Sequence, residues 1–245
     1  MSPVRAFLFD LDGTLIDSMP HHQRAWNAWF ARRGLPMSPA DFFASTAGRS
    51  NIEILENLFP SHSADDLRAM GDEKEALYRE LAAPSLALIG GAREFVVQAR
   101  AAGARTAICT ASTLPNMALA FARHGIDGWV DTVVSPADMS SAPGLRKALR
   151  GKPHPDIFLE AARRLGLAPD DCIVFEDAPL GIEAARRAGM LAVALATTLV
   201  AAHFEAFDNL LAIAPDFTTL APAGLMRQHE SARLKRPPPE ENHDA

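Results

Sequence analysis

Short apolar runs alternate with helix-forming segments along most of this chain, and that alternation restricts the fold more than any other feature. Residues 4–9, 105–110, 129–134, 172–176 and 191–195 have the length and apolarity of strands buried on both faces. Between them, residues 92–102, 114–124, 156–165 and 181–188 have helix-forming composition, and Gly103, Gly125, Gly166 and Gly189 stand just past their ends, where a helix stop is expected. Strand, helix and stop in repetition predict βαβ units around a parallel sheet, hence an α/β, doubly wound, Rossmann-like core. With 245 residues the chain suits one large domain or a core with a smaller partner.

Residues 20 to about 83 break the pattern. They hold no strand run but several helix starts. Ser38-Pro39-Ala40-Asp41 supplies a cap, a proline at the first helical position and an acid in the first turn; Ser50 to Glu53 has capping-box spacing; Ser63 precedes Asp65 and Asp66. A four-helix lid is expected here, inserted after the first strand, entered near Asp17 and left near residues 84–91. Trp26, Trp29 and Phe30 have the i, i+3, i+4 spacing of a buried stripe within it. The expected division is an α/β core of residues 1–18 and 85–220, a helical cap of residues 19–84, and a flexible tail of residues 221–245. That tail carries Arg227, Arg233, Lys235 and Arg236, then three prolines and two glutamates.

Composition removes several classes of function. There are 24 basic and 30 acidic residues, a formal charge of −6, so no basic face is offered to a nucleic-acid backbone. The two cysteines, Cys109 and Cys172, sit inside apolar runs and read as buried strand residues of a reducing compartment. No secretory signal is evident at the N-terminus. The uncharged stretch of residues 188–202 is shorter than the about 20 residues that span a bilayer, and reads as a strand plus loop. A cytoplasmic protein with no membrane or nucleic-acid partner is expected, a monomer being favoured.

The chemistry concentrates at predicted strand ends. Asp10 and Asp12 follow the first strand and precede Gly13, at the kind of edge where open parallel sheets bind ligands. Two carboxylates this close repel, and a divalent cation or a shared proton compensates them. Glu176 and Asp177 repeat the arrangement after another apolar run. Either pair alone also fits an acidic turn or a helix cap; together they make an oxygen-rich site of the kind Mg²⁺ prefers. Thr110, Ala111 and Ser112 follow a third strand and open a helix, a phosphate-binding arrangement when it is not simply a cap. Lys152, in a proline-stiffened loop, is either a surface lysine or a cation for clustered carboxylates and phosphate.

These residues carry a resemblance. The order Asp10-Leu11-Asp12-Gly13-Thr14, then Thr110, then Lys152-Pro153, then Glu176-Asp177 with Gly181 resembles the haloacid dehalogenase superfamily. Within it the chain is similar to the subgroup with a helical cap after the first strand, which holds β-phosphoglucomutases and sugar-phosphate phosphatases. The resemblance spans about residues 4–220. It implies Asp10 as nucleophile forming an aspartyl-phosphate and Asp12 as acid and then base. Thr110 and the adjacent amides would hold phosphoryl oxygens, and Lys152 would neutralise charge. Asp10, the Asp12 carbonyl, Glu176 and Asp177 would hold Mg²⁺. Asp12, an acid for a leaving alkoxide, points to phosphate-ester cleavage rather than dehalogenation. The implied function is a Mg²⁺-dependent phosphomonoesterase for a small phosphorylated metabolite, a sugar or polyol phosphate; the alternatives are a β-phosphoglucomutase-like phosphomutase and a non-catalytic metabolite-binding protein.

Substrate selection is assigned to the lid, through His22, Arg49 and Asn51, and to Ala111 and Ser112. The histidines 21 and 22 otherwise read as exposed residues at a helix start, and the arginine of the mutases would fall nearer Asn51 than Arg49. Residues 138–150 form a long connection before Lys152, either a flap at the site rim or an inert surface loop.

Overall fold

In the computed structural model, residues 5–35, 49–136 and 149–235 are described. Six parallel strands form one sheet in the order β3-β2-β1-β4-β5-β6: β1 (Ala6–Phe9), β2 (Arg105–Cys109), β3 (Thr132–Val134), β4 (Cys172–Glu176), β5 (Leu191–Leu195) and β6 (Leu210–Ala214). The α/β class is as expected. β1 lies at the centre, and all four of its residues are buried. Because side chains alternate along a strand, Phe7 and Phe9 enter one core and Ala6 and Leu8 the other. The first core is aromatic: Phe9 stacks on Phe175 at 4.9 Å, and Phe95 meets Phe217 at 5.1 Å.

Helices α4 (Ala92–Ala101) and α5 (Leu114–His124) contribute to the aromatic core, while α6 (Asp156–Leu165) and α7 (Pro179–Arg187) cover the opposite face. The chain turns left-handed at Gly125 and Gly166, ending α5 and α6 where the sequence places their stops.

Three helices are described in the insert: α1 (Met19–Arg32), α2 (Asn51–Leu58) and α3 (Ala64–Ala82). The predicted start at Ser38–Asp41 falls outside the described residues. Capping boxes close on Ser50 with Glu53 and on Ser63 with Asp66. Trp26, Trp29 and Phe30 are buried, with Trp29 and Phe30 edge to face at 5.2 Å. The two connections to the core run side by side: Asp17 N donates to Ala87 O and Ile89 N to Leu15 O, at 2.9 and 3.0 Å.

Three expectations need correction. The strand expected over residues 129–134 keeps only Thr132–Val134, because residues 126–129 form a 3₁₀ turn and the Asp131 carboxylate takes the Thr106 amide at 2.8 Å. The edge strand β6 was not among the five expected strands. The flexible tail expected from residue 221 is instead helical at α8 (Pro222–Lys235). Leu225 and His229 of α8 are buried, and Arg233 pairs with Asp171 at 2.7 Å. Arg227, Arg233 and Lys235, three of the basic residues that suggested a solvated tail, lie on a helix that also offers an apolar contact. Residues 236–245 and residues 138–148 of the 138–150 connection lie outside the described residues.

Candidate active site

In-register pairing decides which side chains meet. Phe9 pairs with Ile108 on one side and with Phe175 on the other. The residues that follow those partners therefore emerge together at the carboxyl edge of the sheet. Asp10 keeps a backbone bond to Phe175 O, and Thr110 one to Val134 O, both 3.0 Å. Asp10, Thr110, Glu176 and Asp177 are all buried.

Gly13 lets the chain double back between these strand ends. Its φ of 78° is left-handed, and a Cβ there would strike the Asp177 carboxylate and the Thr198 hydroxyl. Gly181 is held to glycine by contact instead, since a Cβ would overlap the Glu176 carboxylate. The Thr198 hydroxyl donates to Asp177 Oδ2, and Thr197 Oγ1 donates to Gly13 O at 2.5 Å, so the turn after β5 buttresses the acidic site.

Lys152 reaches in from the loop before α6. Its Nζ lies 2.5 Å from both Asp10 Oδ1 and Glu176 Oε1, and donates to Cys109 O at 3.2 Å. Burial alone would lower its pKa; Asp10 and Glu176 outweigh that and hold it above the ordinary lysine value. Lys152 is therefore a permanent cation. Burial pushes Asp10 well up despite Lys152, and burial together with Glu176 pushes Asp177 up.

Three carboxylates, Asp10, Glu176 and Asp177, present oxygens within 4.8 Å of one another. When all three are ionised, they leave an excess of two negative charges over the single charge of Lys152, and burial together with that excess is what raises Asp10 and Asp177. Glu176 Oε1 pairs with Lys152 yet makes no well-directed hydrogen bond. A buried all-oxygen donor set with that excess fits a hard divalent cation. Thr110 Oγ1 accepts from Ser112 N at 3.0 Å, which leaves the Thr110 hydroxyl proton to donate into the cavity.

A cavity of about 340 Å³ joins this edge to the insert. Asp10, Asp12, Thr110, Ala111, Ser112, Lys152, Glu176 and Asp177 line its floor, and His22, Arg49 and Asn51 its roof, so every residue expected at the site borders it. His21 does not: it is buried against Leu81 O at 3.2 Å. His22 is not exposed either. It stacks on Tyr78 at 3.8 Å, and its Nε2 stands 3.6 Å from Asp12 Oδ1. Burial would raise the Asp12 carboxyl, but His22, Ser18 and Ser112 hold it below the ordinary aspartate value.

Four contributors escaped the sequence reading. Lys74 Nζ lies 2.8 Å from His22 Nδ1 and from Glu75 Oε1; Asn116 Nδ2 donates to Glu75 Oε2 at 2.5 Å; Thr198 holds Asp177. Lys74 and Glu75 do leave a signal: two adjacent charges fall on the inward stripe formed by Leu67, Gly71 and Tyr78, at i, i+4 and i+11. Nothing local marks Asn116 or Thr198.

A family model described as haloacid dehalogenase-like hydrolase matches residues 4–189. The chain is 35% identical over 191 residues to hexitol phosphatase A of Escherichia coli (strain K12), covering 78% of this chain and 82% of that protein. It is 32% identical over 216 residues to beta-phosphoglucomutase of Mycobacterium bovis, covering 78% and 79%. The crystal structure of a HAD hydrolase, family IA, variant 3, from Entamoeba histolytica superposes with a TM-score of 0.80 at 27% identity, over 92% of this chain and 99% of that one.

Proposed function

Because this chain belongs to the haloacid dehalogenase-like hydrolase family, we propose that it hydrolyses the phosphate monoester of a small sugar or polyol through an aspartyl-phosphate on Asp10. The observation that carries this reading is the meeting of Asp10, Asp12, Thr110, Lys152, Glu176 and Asp177 on the floor of one cavity roofed by the helical insert. The similarity to hexitol phosphatase A supports the substrate class.

Asp10 Oδ1 is held by Lys152, which leaves Oδ2 to attack phosphorus and favours the ionised, nucleophilic form. Thr110 donates its hydroxyl to a phosphoryl oxygen, and Lys152 offsets the charge that develops there. As the phosphorus–oxygen bond to the sugar breaks, Asp12 gives its proton to the leaving alkoxide. A phosphate dianion beside Asp12 raises its proton affinity and so supplies the protonated form. Asp12 then takes a proton from the water that attacks the aspartyl-phosphate, releasing inorganic phosphate and restoring both aspartates. Asp10, Glu176, Asp177 and the main-chain carbonyl of Asp12 would hold Mg²⁺, which when bound screens the repulsion between Asp10 and the phosphate. The insert excludes bulk water and selects the alcohol through His22, Arg49 and Asn51.

Phosphate release across a panel of sugar, polyol, glycolate and nucleotide monophosphates tests this, with Mg²⁺ and with EDTA. The expected result is release that needs both Mg²⁺ and Asp10, greatest for a sugar or polyol phosphate. The similarity to beta-phosphoglucomutase supports a second reading, return of the phosphoryl group to a reoriented sugar. Isomerisation of a hexose 1-phosphate without net phosphate release would favour it.

A further inference from the structure

We propose that Asn116 is a positioning residue that latches the helical insert over the cavity. The inference rests on the reading of that cavity as a phosphatase site roofed by the insert. Asn116 lies on α5, a core helix, and is 3% exposed. Both ends of its amide are engaged by α3 of the insert: Nδ2 donates to Glu75 Oε2 at 2.5 Å, and Oδ1 accepts from Arg79 Nη1 at 3.0 Å. One position must therefore give to a carboxylate and take from a guanidinium. An amide does both; an aspartate would repel Glu75, and an apolar residue would leave a buried carboxylate short of a donor.

The far end of α5 holds the connection that follows α3 instead. Arg123 donates to Leu86 O, Ala83 O and Pro84 O at 2.6, 2.8 and 3.1 Å, and His124 Nε2 meets Leu86 O at 2.9 Å. These bonds go to the backbone of the connection, at the point about which α3 would pivot. Glu75 lies seven residues, about 10 Å, from the end of α3, so a turn of about 20° around that end carries it about 3–4 Å. Such a turn breaks the bond from Asn116 to Glu75, stretches the one to Arg79, which lies nearer the pivot, and leaves the Arg123 anchor intact. Closure also sets the roof: the other oxygen of Glu75 accepts from Asn51 at 2.5 Å and from Lys74 at 2.8 Å, which fixes two cavity-lining side chains.

The test exchanges the two partners. Fluorophores at Leu58→Cys on the insert and Val97→Cys on the core report the ratio of closed to open molecules without any substrate. Both sites are exposed, and both native cysteines are buried. Asn116→Asp is expected to lower that ratio by about tenfold or more, as loss of a hydrogen bond to a charged group does. Adding Glu75→Gln restores a donor facing an acceptor, and the ratio recovers. The KM for the best sugar phosphate should rise in the single variant and fall back in the exchange variant. A predominantly open wild type, an unchanged ratio in Asn116→Asp, or an exchange no better than the single variant overturns the latch. If Asn116→Asp does not fold, Arg79→Met removes one bond from the insert side; a lowered ratio supports the latch and an unchanged one overturns it. A wild type that releases no phosphate from any compound sinks the phosphatase reading, while the fluorescence ratio still decides the latch.

Discussion

Lys152 shows how one side chain would serve both the fold and the proposed chemistry. Among the described residues it is the single cation contacting Asp10 and Glu176, and it is buried with them. Replacing it with methionine leaves carboxylates in a low-dielectric pocket without their partner. A loss of about 3–5 kcal/mol is expected in urea unfolding of the metal-free protein. The loss should shrink as the pH falls, because Asp10 and Asp177, whose pKa values burial already raises, then become neutral. Asp10→Asn separates chemistry from stability: phosphate release should drop by about three orders of magnitude or more, with no loss of thermal stability, since one buried charge is removed. At this scale the motif residues were readable because Asp10, Asp12, Thr110, Glu176 and Asp177 sit at predicted strand ends and Lys152 stands between Gly151 and Pro153. Lys74, Glu75 and Asn116 were not, because what gives each its place is a partner on another element: His22 for Lys74, Asn51 and Asn116 for Glu75, and α3 for Asn116.

Among elements, α6 and α8 give opposite lessons. The helix-forming composition of α6 and its glycine stop predict it to the residue, and its Glu160 is tied to Arg163 and Arg164 at 2.7 and 2.9 Å. The bonds to Arg163 first, and to Arg164, pull Glu160 down to about 2. Its folded pKa lies below the unfolded value, so the stabilisation is complete above about pH 4.5 and is lost as the pH falls toward 2. Thermal melts from pH 5 to pH 2.5 should show Glu160→Gln losing less stability over that window than wild type. By contrast, α8 reads as a charged terminus, with few large apolar residues. Leu225 nevertheless packs into the aromatic core. Leu225→Ala should cost about 2–4 kcal/mol in chemical denaturation, whereas a mobile tail would give no change. The edge strand β6 went unread for a related reason: four of its five residues are only half-buried, and a 3₁₀ turn rather than a full helix precedes it.

For the whole molecule, the excess of two negative charges at the sheet edge links metal binding to stability. Mg²⁺ at a hundredfold excess over its Kd should stabilise the protein by about 2.7 kcal/mol, a rise of about 5–10 °C in Tm over EDTA. Asp177→Asn should abolish most of that rise, and lowering the pH should diminish it as protons replace the cation at Asp10 and Asp177. Among the described residues no helix is long and apolar enough to cross a membrane. The α/β class, the central strands, the insert after β1 and the acidic strand ends were all present in the order of residues. Apolar periodicity, caps and stops are local, and a strand that ends in two aspartates does so in any context. The depth of the cavity, the roof built from Lys74 and Glu75, the grip of Asn116 on α3 and the docking of α8 came only with the folded chain. Each depends on a contact between elements far apart in sequence, where burial gives a charge or an amide an energy that no local pattern encodes.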